Sequence, residues 1–305
     1  HLEILARRAD GYHEVETVMT TVNLFDTLRL IPCQDRSISM HADWAQGRRA
    51  VAECRLGSSD ALGDVPRDDR NLVVRALELL RATAEETTSR TLGGARVTLI
   101  KRIPSAAGLG GASSDAAAAL LAGNLGWGLN WPKERLAELA AALGSDVAFF
   151  LYGRTAFCRG RGEQVSPWAS ANRHFAVIVR PPISLSTAEV YRHCQVPSKP
   201  QKVEQEHIWQ QGTSAEVGSR LFNRLQTAAE LLTPWCRQIA RAFEDEQVYG
   251  HQLSGSGSCY FGICRNREHA RRVAQRLGHR GPQLAFPVET NCPVRIRRNQ
   301  VHCLS

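Results

Sequence analysis

The residues best placed to do chemistry lie between Lys101 and Leu120, in the run KRIPSAAGLGGASSDAAAAL. Gly108, Gly110 and Gly111 lack a Cβ, so the backbone can bend there and turn its N–H groups toward a ligand. The alanine-rich segment that follows predicts a helix opening near Ser113, with unpaired first-turn donors and a positive dipole end. A glycine turn feeding a helix start is a phosphate cradle. A tight structural connection uses the same residues and stands beside that reading. The run has no Gly-Lys-Ser/Thr ending of a P-loop, and no acidic residue ending a strand about 20 positions on as a dinucleotide fold requires.

Four further stretches hold candidate groups: RADGYHE (Arg8 to Glu14), NLVVRA (Asn71 to Ala76), LGSDVAFF (Leu143 to Phe150) and LSGSGSCYF (Leu253 to Phe261). In the first, a tight turn at Asp10 and Gly11 points the ring of Tyr12 and the imidazole of His13 out of one strand end; a packed tyrosine and a surface histidine fit equally. Flanking hydrophobes hold the Asp146 carboxylate against the interior, where it can take a proton or satisfy the donors of a helix start. Asn71 stands where a helix N-cap is expected. Gly255 and Gly257 permit close backbone approach, and Ser254, Ser256 and Ser258 offer hydroxyls, although a bulged turn before a strand explains the same pattern. Ser113 is a candidate metal or phosphate contact, or an ordinary N-cap.

Together, and in this order along nearly the whole chain, these stretches resemble the GHMP kinases, the family of galactokinase, homoserine kinase, mevalonate kinase and phosphomevalonate kinase. The likeness is strongest to the branch acting on a cytidine-bearing alcohol in isoprenoid precursor synthesis. The resemblance implies an α+β, two-domain GHMP kinase fold: a ribosomal-protein-S5-domain-2-like domain at 1–168 and a ferredoxin-like α/β sandwich at 169–305. It implies ATP and Mg²⁺, and phosphorylation of the 2-hydroxyl of a cytidine diphosphate derivative of methylerythritol. Asp146 is then the base that accepts the hydroxyl proton. Pro104, Ala106, Ala107, Gly108, Leu109, Gly110, Gly111, Ala112, Ser113 and Ser114 wrap the ATP phosphates, with Asn71 near the adenine and Ser113 on the metal. Tyr12, His13, Thr187 and Tyr191 contact the substrate, Tyr191 by stacking on cytosine, and Gly255, Ser256 and Gly257 approach the reacting hydroxyl. Phosphoryl transfer asks the protein chiefly for positioning and charge stabilisation, which is why so few side chains suffice.

The family's first motif also carries a lysine and an asparagine a few residues before the strand that starts here at His1 and Leu2. Such a lysine would stabilise the aspartate and developing charge, and a chain acting without it is expected to turn over far more slowly. Two other readings remain open at this point: a GHMP kinase for another small alcohol, and a nucleotide-binding remnant with impaired catalysis.

The elements that must position these groups are legible in outline. With 305 residues, 43% hydrophobic and 22% charged, the chain can bury two cores and is not expected to be disordered. No apolar run approaches the length of a spanning helix and no signal peptide opens the chain, so no membrane association and a cytoplasmic location are expected. Nine scattered cysteines without a CxxC pair read as reduced thiols. The net charge of +8 and the cluster Arg295, Arg297 and Arg298 raise nucleic acid as a partner, but no recognised motif or aromatic interleaving supports it; the cluster reads as a solvated strand. A monomer or weak homodimer is expected.

Periodicity predicts strands at 2–6, 15–22, 27–31, 95–100, 175–180 and 259–264. It predicts helices at 71–88, from Pro132 to 143, and at 219–232, 234–244 and 267–277. The polar tract from Cys33 to Arg70 reads as an elaborated surface hairpin, and the domain boundary is placed near Trp168.

Overall fold

A computed structural model describes residues 1–58 and 62–293; the cluster Arg295, Arg297 and Arg298 lies outside them. The amino-terminal half opens with β1 (Leu2–Arg7) and β2 (His13–Thr20), an antiparallel hairpin. Its turn is set by Gly11 at φ +86° and by Asp10 Oδ1, which accepts from Tyr12 N at 3.1 Å. β3 (Thr27–Pro32) follows. The polar tract after it is not a hairpin. It forms β4 (Ile38–Trp44) and α1 (Gln46–Leu56), and β4 lies parallel to a strand far along the chain. The strand escaped sequence reading because it is a sheet edge: Ile38, Met40 and Ala42 turn inward while Ser39 and His41 stay exposed, so its polar half dominates the local composition.

Asn71 caps α2 (Leu72–Thr88), its Oδ1 accepting from Val73 N at 2.9 Å. Val73, Val74, Ala76, Leu77, Leu80 and Ala84 form the buried face, the spacing of one side of a 3.6-residue helix. β5 (Ala95–Lys101) pairs with β3 and β4 and leads through the glycine loop to α3 (Gly111–Gly126). α3 packs against α2 so closely that a Cβ on Gly123 would lie 2.9 Å from Leu77; its small side chains are what allow two helices to approach over the sheet. Then come α4 (Lys133–Leu143), with Pro132 as its N-cap, the short α5 (Val147–Tyr152), β6 (Thr155–Arg159) and β7 (Gln164–Pro167). β1, β2, β6 and β7 form one four-stranded sheet.

The carboxy-terminal half runs β8 (Phe175–Arg180), α6 (Thr187–His193), α7 (Glu206–Gln211), α8 (Ser214–Gly218), α9 (Leu225–Leu232), α10 (Trp235–Glu244), β9 (Gly250–Leu253), β10 (Tyr260–Cys264), α11 (Arg267–His279) and β11 (Leu284–Glu289). The sheet order β11-β8-β10-β9 is antiparallel throughout. With helices crossing between β8 and β9 and between β10 and β11, this is the ferredoxin-like arrangement. The helix expected over 219–232 starts only at Leu225, because Phe222 and Asn223 leave the helix to bond β1. β11 carries Pro287 with its side chain exposed at the sheet edge, where a missing N–H is tolerated.

The halves are joined by backbone and charge. Leu2 N donates to Phe222 O at 2.8 Å and Arg224 N to Leu2 O at 2.9 Å, while the fully buried Glu3 carboxylate takes two bonds from the Arg224 guanidinium at 2.8 and 2.7 Å. A second bridge links Val22 and Thr290. These ties hold the walls of the cleft between the halves.

Candidate active site

The two glycine-rich loops meet. Between β5 and α3, the chain turns through positive φ at Ala106 (+48°), Gly108 (+69°) and Gly110 (+64°). The loop between β9 and β10 lies directly against it: Ser254 Oγ donates to Gly108 O at 2.8 Å and Cys259 N to Ala107 O at 3.1 Å. A Cβ on Gly108 would run into the carbonyl oxygens of Ser254 and Gly257, and one on Gly110 would lie 2.7 Å from the Phe150 ring. Glycine is therefore required by contact as well as by conformation. The second loop is fixed from behind by Asn223 Nδ2, which donates to Leu253 O and Gly255 O at 2.9 and 2.8 Å, and from the side by Thr187 Oγ1, 2.9 Å from Ser256 Oγ.

α3 opens at Gly111, two residues before the expected start, with Gly110 as N-cap and no side-chain cap. Its first-turn N–H groups are thus available at the cleft. Ser113 is the third helical residue and not a cap; its hydroxyl makes no hydrogen bond among the described residues, whereas Ser114 Oγ donates to Gly111 O at 2.8 Å.

Beneath this turn lies a charged cluster that sequence reading missed. Lys101 Nζ donates to Asp26 and, at 2.6 Å, to Asp115 Oδ2, with all three side chains at most 7% exposed. Asp26 Oδ1 also accepts from Ile103 N at 2.9 Å. Burial pushes the Asp115 carboxyl up to about 7, Lys101 pulling it down and Asp26 pushing it further up. The available signal was Asp115 itself, a lone acid at the head of an apolar helix, which needs a buried partner.

Asp146 occupies the N-cap position of α5, yet its side chain makes no cap bond and no other hydrogen bond among the described residues. The carboxylate is half-buried, and burial raises its pKa above the usual range. α5 ties it to the cradle: Phe150, about one turn along the helix, is the residue packed on Gly110. Asp146 and the glycine loop therefore line one cleft of about 2990 Å³.

In the same cleft the His13 and Tyr191 rings lie 5.2 Å apart, with Tyr12, 53% exposed, also in the lining. Burial, aided by the charge of Arg7, lowers the His13 pKa and leaves a neutral ring. Pro104, Ala106, Ala107, Leu109, Ala112, Thr187, Gly255 and Ser256 also line the cleft. Two expected residues do not. Asn71 is outside the lining: its Oδ1 accepts the α2 cap bond from Val73 N and its Nδ2 donates to Pro66 O at 2.7 Å, the bonds of an N-cap. Gly257 is not in the lining: a Cβ there would meet Leu253 and Leu185, and its backbone lies against Gly108. No cluster of three or more His, Cys, Asp or Glu side chains suited to a metal is found among the described residues.

A ferredoxin-like half joined across a deep cleft to a half whose glycine loop feeds a helix N-terminus, with one unpartnered carboxylate between, defines a GHMP kinase. Residues 71–154 match the model of the GHMP kinases N terminal domain, and residues 210–283 that of the GHMP kinases C terminal domain. The chain belongs to this family and, within it, to the 4-diphosphocytidyl-2-C-methyl-D-erythritol kinases. Relatives of that name from Rhodopirellula baltica and Pelotomaculum thermopropionicum are 38% and 37% identical to it, alignments covering 90% and 93% of this chain and 87% and 92% of theirs. A crystal structure of 4-(cytidine 5'-diphospho)-2C-methyl-D-erythritol kinase superposes with a TM-score of 0.73 at 31% identity, over 95% of both chains. A homoserine kinase from Cytophaga hutchinsonii shares the fold, with a TM-score of 0.62 at 17% identity over 96% of this chain and 94% of its own.

Proposed function

We propose that this chain transfers the terminal phosphoryl group of ATP to the 2-hydroxyl of 4-diphosphocytidyl-2-C-methyl-D-erythritol, releasing ADP. The observation that carries the reading is the unpartnered Asp146 carboxylate facing the same cleft as the open N-terminus of α3. The N–H groups of Gly108 to Ser113 hold the phosphates, and Gly108 and Gly110 leave room where a Cβ would intrude. Asp146, with its pKa raised by burial, accepts the hydroxyl proton as the oxygen attacks. Ser254 and Asn223 keep the second loop pressed on the first, so that acceptor and donor stay in line.

The free hydroxyl of Ser113 fits a magnesium ion, which takes few protein ligands and keeps phosphate oxygens and waters. Ser113 together with the nucleotide phosphates would hold it. The ion's contribution is to neutralise charge on the transferring group. His13 reads the cytosine edge, while Tyr12 and Tyr191 supply ring faces worth about 1–3 kcal/mol per stacked base. Residues 1–168 and 169–305 are the two domains, acting as a monomer or weak homodimer in the cytoplasm. No helix among the described residues is long and apolar enough to cross a membrane.

ADP formation measured with and without the cytidyl substrate tests the assignment; equal rates would sink it. Tyr12→Ala is expected to raise the KM for that substrate about tenfold, in line with the loss of one stacking face, with kcat little changed. An unchanged KM would point to a different alcohol.

A further inference from the structure

Arg161 sits in the turn between β6 and β7, and none of the roles above uses it. Its guanidinium carbon lies 4.8 Å over the Tyr12 ring, and a Cβ on the next residue, Gly162, would lie 3.6 Å from Asp146 Oδ1. Arg161 therefore lies against the ring assigned to the base, and its chain neighbour Gly162 lies beside the carboxylate assigned to the hydroxyl. The side chain is 27% exposed and lines the cleft.

Its charge is poorly answered. The Glu163 carboxylate is 4.0 Å from Nε and already accepts from the Arg161 backbone N at 2.6 Å; Nη2 makes a long bond, 3.4 Å, to Ala141 O. Asp10, the other carboxylate that feels this charge, is held by Arg8 at 3.1 Å. The guanidinium makes no other hydrogen bond among the described residues, which leaves most of its five donors open. A guanidinium presents those donors in a planar fork that suits phosphate oxygens, and it can lie on an aromatic ring while doing so. In a ligand with cytosine at one end and the reacting hydroxyl at the other, the group spanning this position is a diphosphate.

We propose that Arg161, backed by the Tyr12 ring, binds the diphosphate of the substrate and so selects a nucleoside diphosphate ester over an uncharged alcohol. The assignment deepens the kinase reading above and rests on it for the placement of the substrate.

The test uses the full chain with its ATP site filled by a non-hydrolysable analogue, and measures binding of cytidine and of CDP by calorimetry. Wild type should bind CDP at least about tenfold more tightly than cytidine, the scale of one charge-assisted contact. Arg161→Met should remove most of that preference while leaving cytidine affinity within about twofold, and Arg161→Lys should restore part of it. In steady-state assays Arg161→Met should raise the KM for the cytidyl substrate about tenfold, with kcat and the KM for ATP within about twofold. Arg161→Gln, which keeps a polar side chain, carries the same expectation should the Met variant fold poorly. The proposal is overturned if the variants keep the CDP preference, or if they lose cytidine and CDP affinity equally, which would mean Arg161 acts only by steadying Tyr12. Failure of the kinase reading shows separately, as absence of substrate-dependent ADP formation in wild type.

Discussion

Asp146 is the residue on which the proposed chemistry turns, and its surroundings set how it should behave. It carries no cap bond, and burial alone lifts its pKa above the ordinary carboxylate range. A base must be ionised to accept a proton, so activity should rise with pH through that elevated value, placing the acid limb of kcat/KM higher than a surface aspartate would. Asp146→Asn should lower kcat by about 100- to 10,000-fold, the usual yield of general base catalysis, and abolish that limb while the thermal melt stays within a few degrees. A variant retaining near-normal kcat would remove Asp146 from the mechanism. Its position in the sequence already marked it as either a base or a helix cap; the missing cap bond speaks against the cap.

At the scale of elements, the cradle depends on two loops that come from opposite halves of the chain. Gly108 has φ +69° and no room for a Cβ against the Ser254 and Gly257 carbonyls, so Gly108→Ala must displace one loop from the other. Misplacing reacting groups by about 1 Å costs roughly 100-fold, and the loss is expected in kcat/KM for ATP, measured at saturating cytidyl substrate. Activity within twofold of wild type would mean that the loop contact is not what holds the phosphates. The glycines of each loop were legible because they lie within a few residues of one another in sequence. Their mutual contact was not, because residues 108 and 254 are brought together only by the pairing of separate sheets. The same limit hid β4, whose hydrogen-bonding partner β5 lies nearly sixty residues further along the chain.

For the whole molecule, stability against pH reports on the buried cluster under α3. The Asp115 carboxyl is pushed from 3.8 to about 7, first by burial and then by Asp26 against the pull of Lys101. Below the ordinary carboxylate range folded and unfolded chains both hold that proton. Between that range and about 7 only the folded chain does, so this group's contribution to stability is lost as pH rises through the window. Asp115→Asn, which keeps an oxygen for Lys101, should flatten the fall in Tm between pH 5 and 8; an unchanged slope would show that Asp115 does not titrate there.

Local order determined a good deal of this protein: helix periodicity, the glycine turns, the strand-loop-helix sequence of a phosphate site and the motifs that mark the family all depend on neighbours in the chain. Tertiary structure alone decided which carboxylate is free, which is buried beside Lys101, and where Arg161 meets Tyr12. Those outcomes depend on desolvation and on contacts between separate elements of the fold, and no short stretch of sequence carries that information.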